Sequence, residues 1–114
     1  MASPIYPLKV VLCSPSPEGA ALNQGAAFID KSGTITTGGT SQEVSAAFAA
    51  RRYFIFQNHS DTDMWLDDAV AAVAGQPSIK IYANGGVYEP FVAPIGAINV
   101  ICATTGKSYT CKEA

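Results

Sequence analysis

The chain has 114 residues, of which 48% are hydrophobic and only 14% charged, with a net charge of −2. A chain of this length forms one domain that buries roughly two thirds of its unfolded surface without metal or disulfide support, and its charge content is well below the usual ~25%. Of its seven Lys and Arg residues only Arg51 and Arg52 are adjacent, so no basic patch exists to track a phosphate backbone, and nucleic acid is excluded as a partner.

No apolar run approaches the ~20 residues that span a bilayer. Met1-Ala-Ser-Pro lacks a basic start and Leu8-Lys-Val-Val-Leu is too short for a secretory core, so the expected product is soluble, membrane-free and made in a cytoplasm. Cys13, Cys102 and Cys111 form no CxxC pair. Their odd number fits small buried thiols in a reduced compartment. A Cys102–Cys111 bridge across a hairpin is allowed by spacing and disfavoured.

Residues 6–13 read as a first strand with Leu8, Val10 and Leu12 on one face. Ser14-Pro-Ser-Pro stops it, because proline cannot donate to a ladder. Residues 20–29 are Ala-rich and fit a helical turn or an extended segment equally. Phe28-Ile-Asp is a short strand, turned by Lys31-Ser-Gly. The Gly- and Thr-rich residues 31–41 read as a loop or weak hairpin, and as the linker if the chain divides. Residues 42–49 begin a strand alternating Val44, Ala46 and Phe48, with a turn at Ala50-Arg51.

Residues 52–58 carry the strongest strand signal. Phe54 and Phe56 share one face, Tyr53 and Ile55 the other, so both faces call for cover. The next strand, residues 62–67, places Met64 and Leu66 opposite Trp65. Asp67-Asp68 can cap a helical turn over residues 69–74, which are too Ala-rich for a strand. Residues 77–83 follow, with Ile79 and Ile81 inward. Asn84-Gly85-Gly86 is the best hairpin turn in the chain and should return residues 87–92 along residues 77–83. Residues 97–103 form another strand, which Thr104-Thr-Gly should turn onto residues 107–112.

The chemistry-bearing motifs are weak. Thr104-Thr-Gly-Lys-Ser mimics the end of a phosphate-binding loop, but that loop needs a glycine where Ile101 stands and a helix after Ser108. The cluster His59-Ser-Asp61-Thr-Asp63, with Asp67 and Asp68 nearby, has carboxylates spaced for a hard cation. It lacks the glycine and distal glutamate of a calcium loop, and reads better as a loop in which Asn58, Ser60 and Asp61 bond their own backbone. His59 is the single histidine, and no Gly-x-Ser-x-Gly elbow accompanies it. Glu18, Glu43, Glu89 and Glu113 read as solvated. Asn58-His-Ser matches a glycosylation sequon by chance. The expectation is therefore no enzyme, no catalytic residue, no cofactor and no metal.

Arg52-Tyr-Phe-Ile-Phe-Gln-Asn-His-Ser, the aspartate turn into Met64-Trp-Leu, Gly85-Gly-Val-Tyr-Glu-Pro, Pro94-Ile-Gly-Ala and Ala103-Thr-Thr-Gly follow one another in an order that resembles small virion structural proteins of tailed bacteriophages, over residues 51–114. The resemblance implies a β-rich capsid decoration or cement protein on the virion head. Such a protein would be a homotrimer, with the major capsid protein as partner.

The expected fold is all-β, an antiparallel sandwich of jelly-roll type or a flattened barrel of about eight strands. Residues 1–41 would form a strand plus an extended segment or arm, and residues 42–114 the core, in one domain overall. Tyr53, Trp65, Tyr82, Tyr88, Thr34 and Thr36 are the expected interface residues. The rivals are a minor head, neck or tail component, a sugar-binding module built around Trp65 or a tyrosine, and a small hydrolase dependent on His59.

Overall fold

The computed structural model describes residues 27–114, and these form nine strands and no helix. In chain order they are β1 (Ile29–Asp30), β2 (Gly33–Thr34), β3 (Gln42–Ser45), β4 (Phe54–Asn58), β5 (Met64–Asp68), β6 (Ile79–Ile81), β7 (Val87–Tyr88), β8 (Ile98–Cys102) and β9 (Ser108–Glu113). The strand expected over residues 6–13 lies outside the described residues.

The strands make two antiparallel sheets. One runs β1–β9–β4–β7, with β2 also on β9; the other runs β3–β8–β5–β6. The pairs β2·β9, β3·β8, β4·β7 and β5·β6 nest inside one another around the β5–β6 loop. Apart from the β1–β2 and β5–β6 steps, every connection crosses from one sheet to the other. Such nesting is the connectivity of a jelly roll, a double-sheet sandwich that leaves only short edges. The fold is therefore the all-β sandwich that the alternation of the sequence implies.

The alternation places the core. Phe54 and Phe56 on β4, Met64 and Leu66 on β5, Ile98, Val100 and Cys102 on β8, and Tyr109 and Cys111 on β9 point inward and are buried. Phe56 stacks on Tyr109 with ring centroids 5.0 Å apart. Cys102 and Cys111 are free thiols, so no hairpin bridge forms.

Four local expectations are corrected. Asn84 (φ 64°) and Gly85 (φ 102°) do adopt left-handed conformations, but β7 pairs with β4, not with β6. Gly85 N–H donates to Asn58 O at 2.8 Å and Asn58 N–H to Gly86 O at 2.9 Å. The turn is thus pinned to the end of β4 and hands the chain to the other sheet. Likewise β8 and β9 are not a hairpin, because their connection wraps the fully buried Ile35. Gly106 N–H donates to Ile35 O at 2.8 Å, and Ile35 N–H to Lys107 O at 2.9 Å. That anchoring also fixes residues 31–41 to the sandwich.

Residues 69–74 contain no helical turn. Ala69 takes φ 68° and donates to Ala97 O at 2.8 Å. Asp67 caps its own neighbour's amide and accepts the Ser78 hydroxyl. Ile79 lies on the same face as Ile81 but at the mouth of the sandwich, where it is exposed. The outward face of β4 is only half covered.

Candidate docking surface

The antiparallel registers set one end of the sandwich apart. Asp68 lies opposite Ile98, Ser45 opposite Ile98, and Phe54 opposite Glu113. Loops β3–β4, β5–β6 and β7–β8, the start of β1 and the end of β9 therefore gather at this end. Residues 69–79 and 90–98 contain no charged residue.

Phe91 is fully exposed at 103%, and Val92 at 77% and Ile95 accompany it on the β7–β8 loop. Val70 and Val73 stand exposed on the β5–β6 loop, with Ile79, Phe28 and Ile29 around them. Among the described residues, only Tyr82 and Val87 of the exposed large hydrophobics lie elsewhere. Exposed apolar side chains gathered at one end of a fold mark an interaction surface.

Beneath the patch sits Arg51, 4% exposed. Its guanidinium places all five N–H groups. Nε donates to Glu113 Oε1 at 3.0 Å, one Nη to the carbonyls of Pro94 and Gly96, and the other to Ser45 Oγ at 3.2 Å and Ala46 O at 2.9 Å. The Phe48 and Phe54 rings flank it, each centroid 5.7 Å away. Ser45 Oγ donates to the same Glu113 oxygen at 2.8 Å. One side chain thereby ties loops β3–β4 and β7–β8 to the end of β9. Phe48 N–H donates to Ile95 O at 2.9 Å, which joins the two loops again.

Gly96 lets the β5–β6 and β7–β8 loops touch, because a Cβ there would strike Asp68 Oδ1 and come within 3.0 Å of Ala69 Cβ. The apolar display is thus held by buried polar bonds, which fix its shape before any partner arrives. Between the sheets at this end opens a cleft of about 90 Å³ lined by Leu66, Ile79, Tyr88, Pro94 and Ile98 together with Pro77, Asp67 and Asp68. It is smaller than ligand pockets of ~300–1,000 Å³.

Two of the sequence-derived interface residues lie at this end. Tyr53 stacks on Phe28 at 5.2 Å and donates its hydroxyl to Glu89 at 2.6 Å; that bond raises the phenol pKa. Tyr88 packs edge-on against Phe54 and is half-buried; burial raises its pKa. The others lie away from the patch. Thr34 and Thr36 belong to the far end, and Trp65 and Tyr82 meet only through Lys80, whose ammonium lies 5.6 Å from the Trp65 ring and 4.7 Å from Tyr82. Trp65 sits in a groove of about 390 Å³ with Thr62, Asp63, Ile101 and Gly39.

Two surface ion pairs lie at the far end. Asp61 meets Lys107 at 2.7 Å and Asp63 meets Lys80 at 3.4 Å. The Lys107 bond holds the Asp61 carboxyl below its ordinary pKa. The amide of Ala83, more than Lys80, does the same for Asp63. Among the described residues no three His, Cys, Asp or Glu side chains form a metal-binding group.

His59 Nε2 lies 2.7 Å from Thr110 Oγ1 on the surface, while both nearby carboxylates are engaged by lysines. Asn58 is fully buried and satisfied, donating to Thr62 O and Ile81 O and accepting from Ser60. Its sequon therefore has no accessible amide in the fold.

The Arg51 hub was not legible as such in the sequence. The available signal was Glu113, which falls on the inward side of the Tyr109, Cys111, Glu113 alternation and so requires a cationic partner. No known protein family, curated protein or solved structure matches the chain, and the chemistry of this end carries the functional reading.

Proposed function

We propose that this chain is a structural protein of a tailed-phage virion. In this reading it is a decoration protein that docks on the assembled head and bridges neighbouring major capsid subunits, acting as a homotrimer and not as an enzyme. The observation that carries the reading is the group of exposed apolar side chains on two uncharged loop runs, held rigid over Arg51. Aromatic side chains such as the fully exposed Phe91 are enriched in protein interfaces relative to the rest of the surface.

Binding only to the assembled shell stabilises it by mass action, about 2.7 kcal/mol per site at a hundredfold excess over Kd. Symmetry repeats that gain around the head. The test is to compare heads made with and without this chain for resistance to heat and osmotic shock. Unchanged resistance rejects the stabilising role, and labelled images of purified particles separate a head location from neck, tail or fibre.

A second reading rests on the Trp65 groove, whose volume falls in the range of ligand pockets and which sets an aromatic ring beside Asp63 and Thr62. It makes the chain the carbohydrate-binding module of an adhesin. Against it, Lys80 lies over the ring and Asp63 is already bonded. Glycan-array binding lost in Trp65→Ala supports this second reading; an empty array removes it.

A further inference from the structure

We infer that the apolar end contains a recess that takes a tyrosine side chain of the docking partner, with Glu113 as its hydrogen-bond acceptor. The partner's share in this rests on the docking reading above; the recess and its preference for a phenol do not.

The sheet order leaves β1 at the edge of one sheet and β3 at the edge of the other. Between them opens a pocket of about 220 Å³, walled by Ile29, Ala46, Ala47 and Phe48. Its polar groups come from Lys31, Ser45 and Glu113. Register puts them there. Ile29 lies opposite Glu113, and Lys31 N–H donates to Cys111 O at 2.7 Å. Side chains two residues apart share a face of a strand, so Ile29 and Lys31 lie on the face that Glu113 occupies.

Glu113 is 3% exposed, yet only half of its carboxylate is bonded. Oε1 accepts from Arg51 Nε at 3.0 Å and from Ser45 Oγ at 2.8 Å. Among the described residues no donor reaches Oε2. Arg51 cannot serve it, because its remaining N–H groups are engaged by Pro94, Gly96, Ser45 and Ala46. A buried acceptor without a donor is rare in folded proteins and costs free energy until one arrives. Glu113 lines the pocket, so the missing donor has a route to it.

Charge, polarity and size select that donor. Arg51 and Lys31 set two cations against one carboxylate, which opposes an ammonium or a guanidinium. The lone pairs of Oε2 oppose an anion. A hydroxyl suits both neighbours, since it donates to Oε2 and accepts from the Lys31 ammonium, which takes no part in the ion pairs of the described residues. The walls are apolar, and a dry cavity of ~150 Å³ holds a benzene ring, so this pocket has room for a ring with its hydroxyl. A phenol meets all three conditions. Among side chains that is tyrosine, which joins a large apolar body to a polar tip and is enriched at the centres of interfaces. Phe48 N–H donates to Ile95 O, which sets the recess beside the exposed β7–β8 loop.

The test titrates p-cresol, the tyrosine side chain as a free molecule, into the isotope-labelled intact chain. The NMR signals of Ile29, Ala47 and Phe48 should shift. Binding should be at least tenfold tighter than that of toluene, the margin of a hydrogen bond to a charged acceptor. Lys31→Met should weaken p-cresol at least threefold without weakening toluene. Ala47→Leu, at an exposed position on the pocket wall, should abolish binding of both. No binding of p-cresol, equal affinity for the two probes, or undiminished p-cresol binding in Ala47→Leu overturns the inference. No capsid enters this experiment, so its failure leaves the docking reading standing, and heads that are no less resistant without this chain remove that reading while leaving the recess.

Discussion

Arg51 and Glu113 form an ion pair with Nε 3.0 Å from Oε1, and both side chains are almost wholly removed from solvent. Breaking a buried pair by removing one partner strands the other charge and costs about 3–5 kcal/mol. Arg51→Met should therefore lower unfolding free energy by about that amount, read as a lower urea midpoint. Arg51→Met combined with Glu113→Leu should recover part of the loss. Arg51→Lys should not restore the wild-type value, because an ammonium with three donors cannot reach five separate acceptors.

Phe91 and Val92 are among the most exposed of the described side chains, so Phe91→Asp and Val92→Asp should shift stability by less than ~0.5 kcal/mol. If this end is the docking surface, the same changes abolish co-sedimentation with assembled heads. Retained binding by the folded double variant would place the contact elsewhere on the molecule.

Acid should weaken the far end specifically. The folded-state pKa values of Asp61 and Asp63 are depressed by Lys107 and by the Ala83 amide. The stabilisation they give is thus present above the ordinary carboxylate pKa and disappears as pH falls through the lowered values. Both groups are exposed, so the effect is small and screened by salt. Urea midpoints between pH 7 and pH 2 should fall less steeply for Asp61→Asn than for the parent chain.

Burial pushes the Cys111 thiol up to about 12. Thiolate, the reactive form, is scarce at any working pH. Iodoacetamide at pH 8 should leave Cys111 unmodified in the native protein and label it once urea passes the unfolding midpoint. Peptide mapping after a short pulse measures both.

Ile35 closes the far end between the sheets and is 1% exposed. Ile35→Ala should cost about 2–5 kcal/mol through lost burial and an unfilled cavity. The β8–β9 connection, bonded to the Ile35 backbone on both sides, should show the greatest loss of amide-exchange protection.

The strands were readable because Phe54/Phe56, Met64/Leu66 and Ile98/Val100 alternate with less buried neighbours. Their partners were not. Asn84-Gly85-Gly86 and Thr104-Thr-Gly106 announce a reversal but carry no information about which strand lies beside the outgoing one. In nested pairing that partner is distant, as with Ile29 and Glu113. The apolar end was present in the sequence as two uncharged runs. Composition alone suggested a helical turn for one and a strand approach for the other, because their common location depends on β5 lying beside β8. Arg51 stood out in the sequence only as the neighbour of Arg52 and as part of a turn; the fold sends the first inward and leaves the second outside.

Ala114 is bonded to Arg52 and Tyr53 beside the apolar loops, accepting from Arg52 N–H at 2.7 Å. A purification tag or reporter fused after it would hang over the contact face and could mimic a loss-of-binding mutation. Thr104, exposed on the β8–β9 connection at the far end, is a better insertion point. Cargo spliced there would point away from whatever the molecule grips, which turns the jelly roll into a display platform with a defined inside and outside.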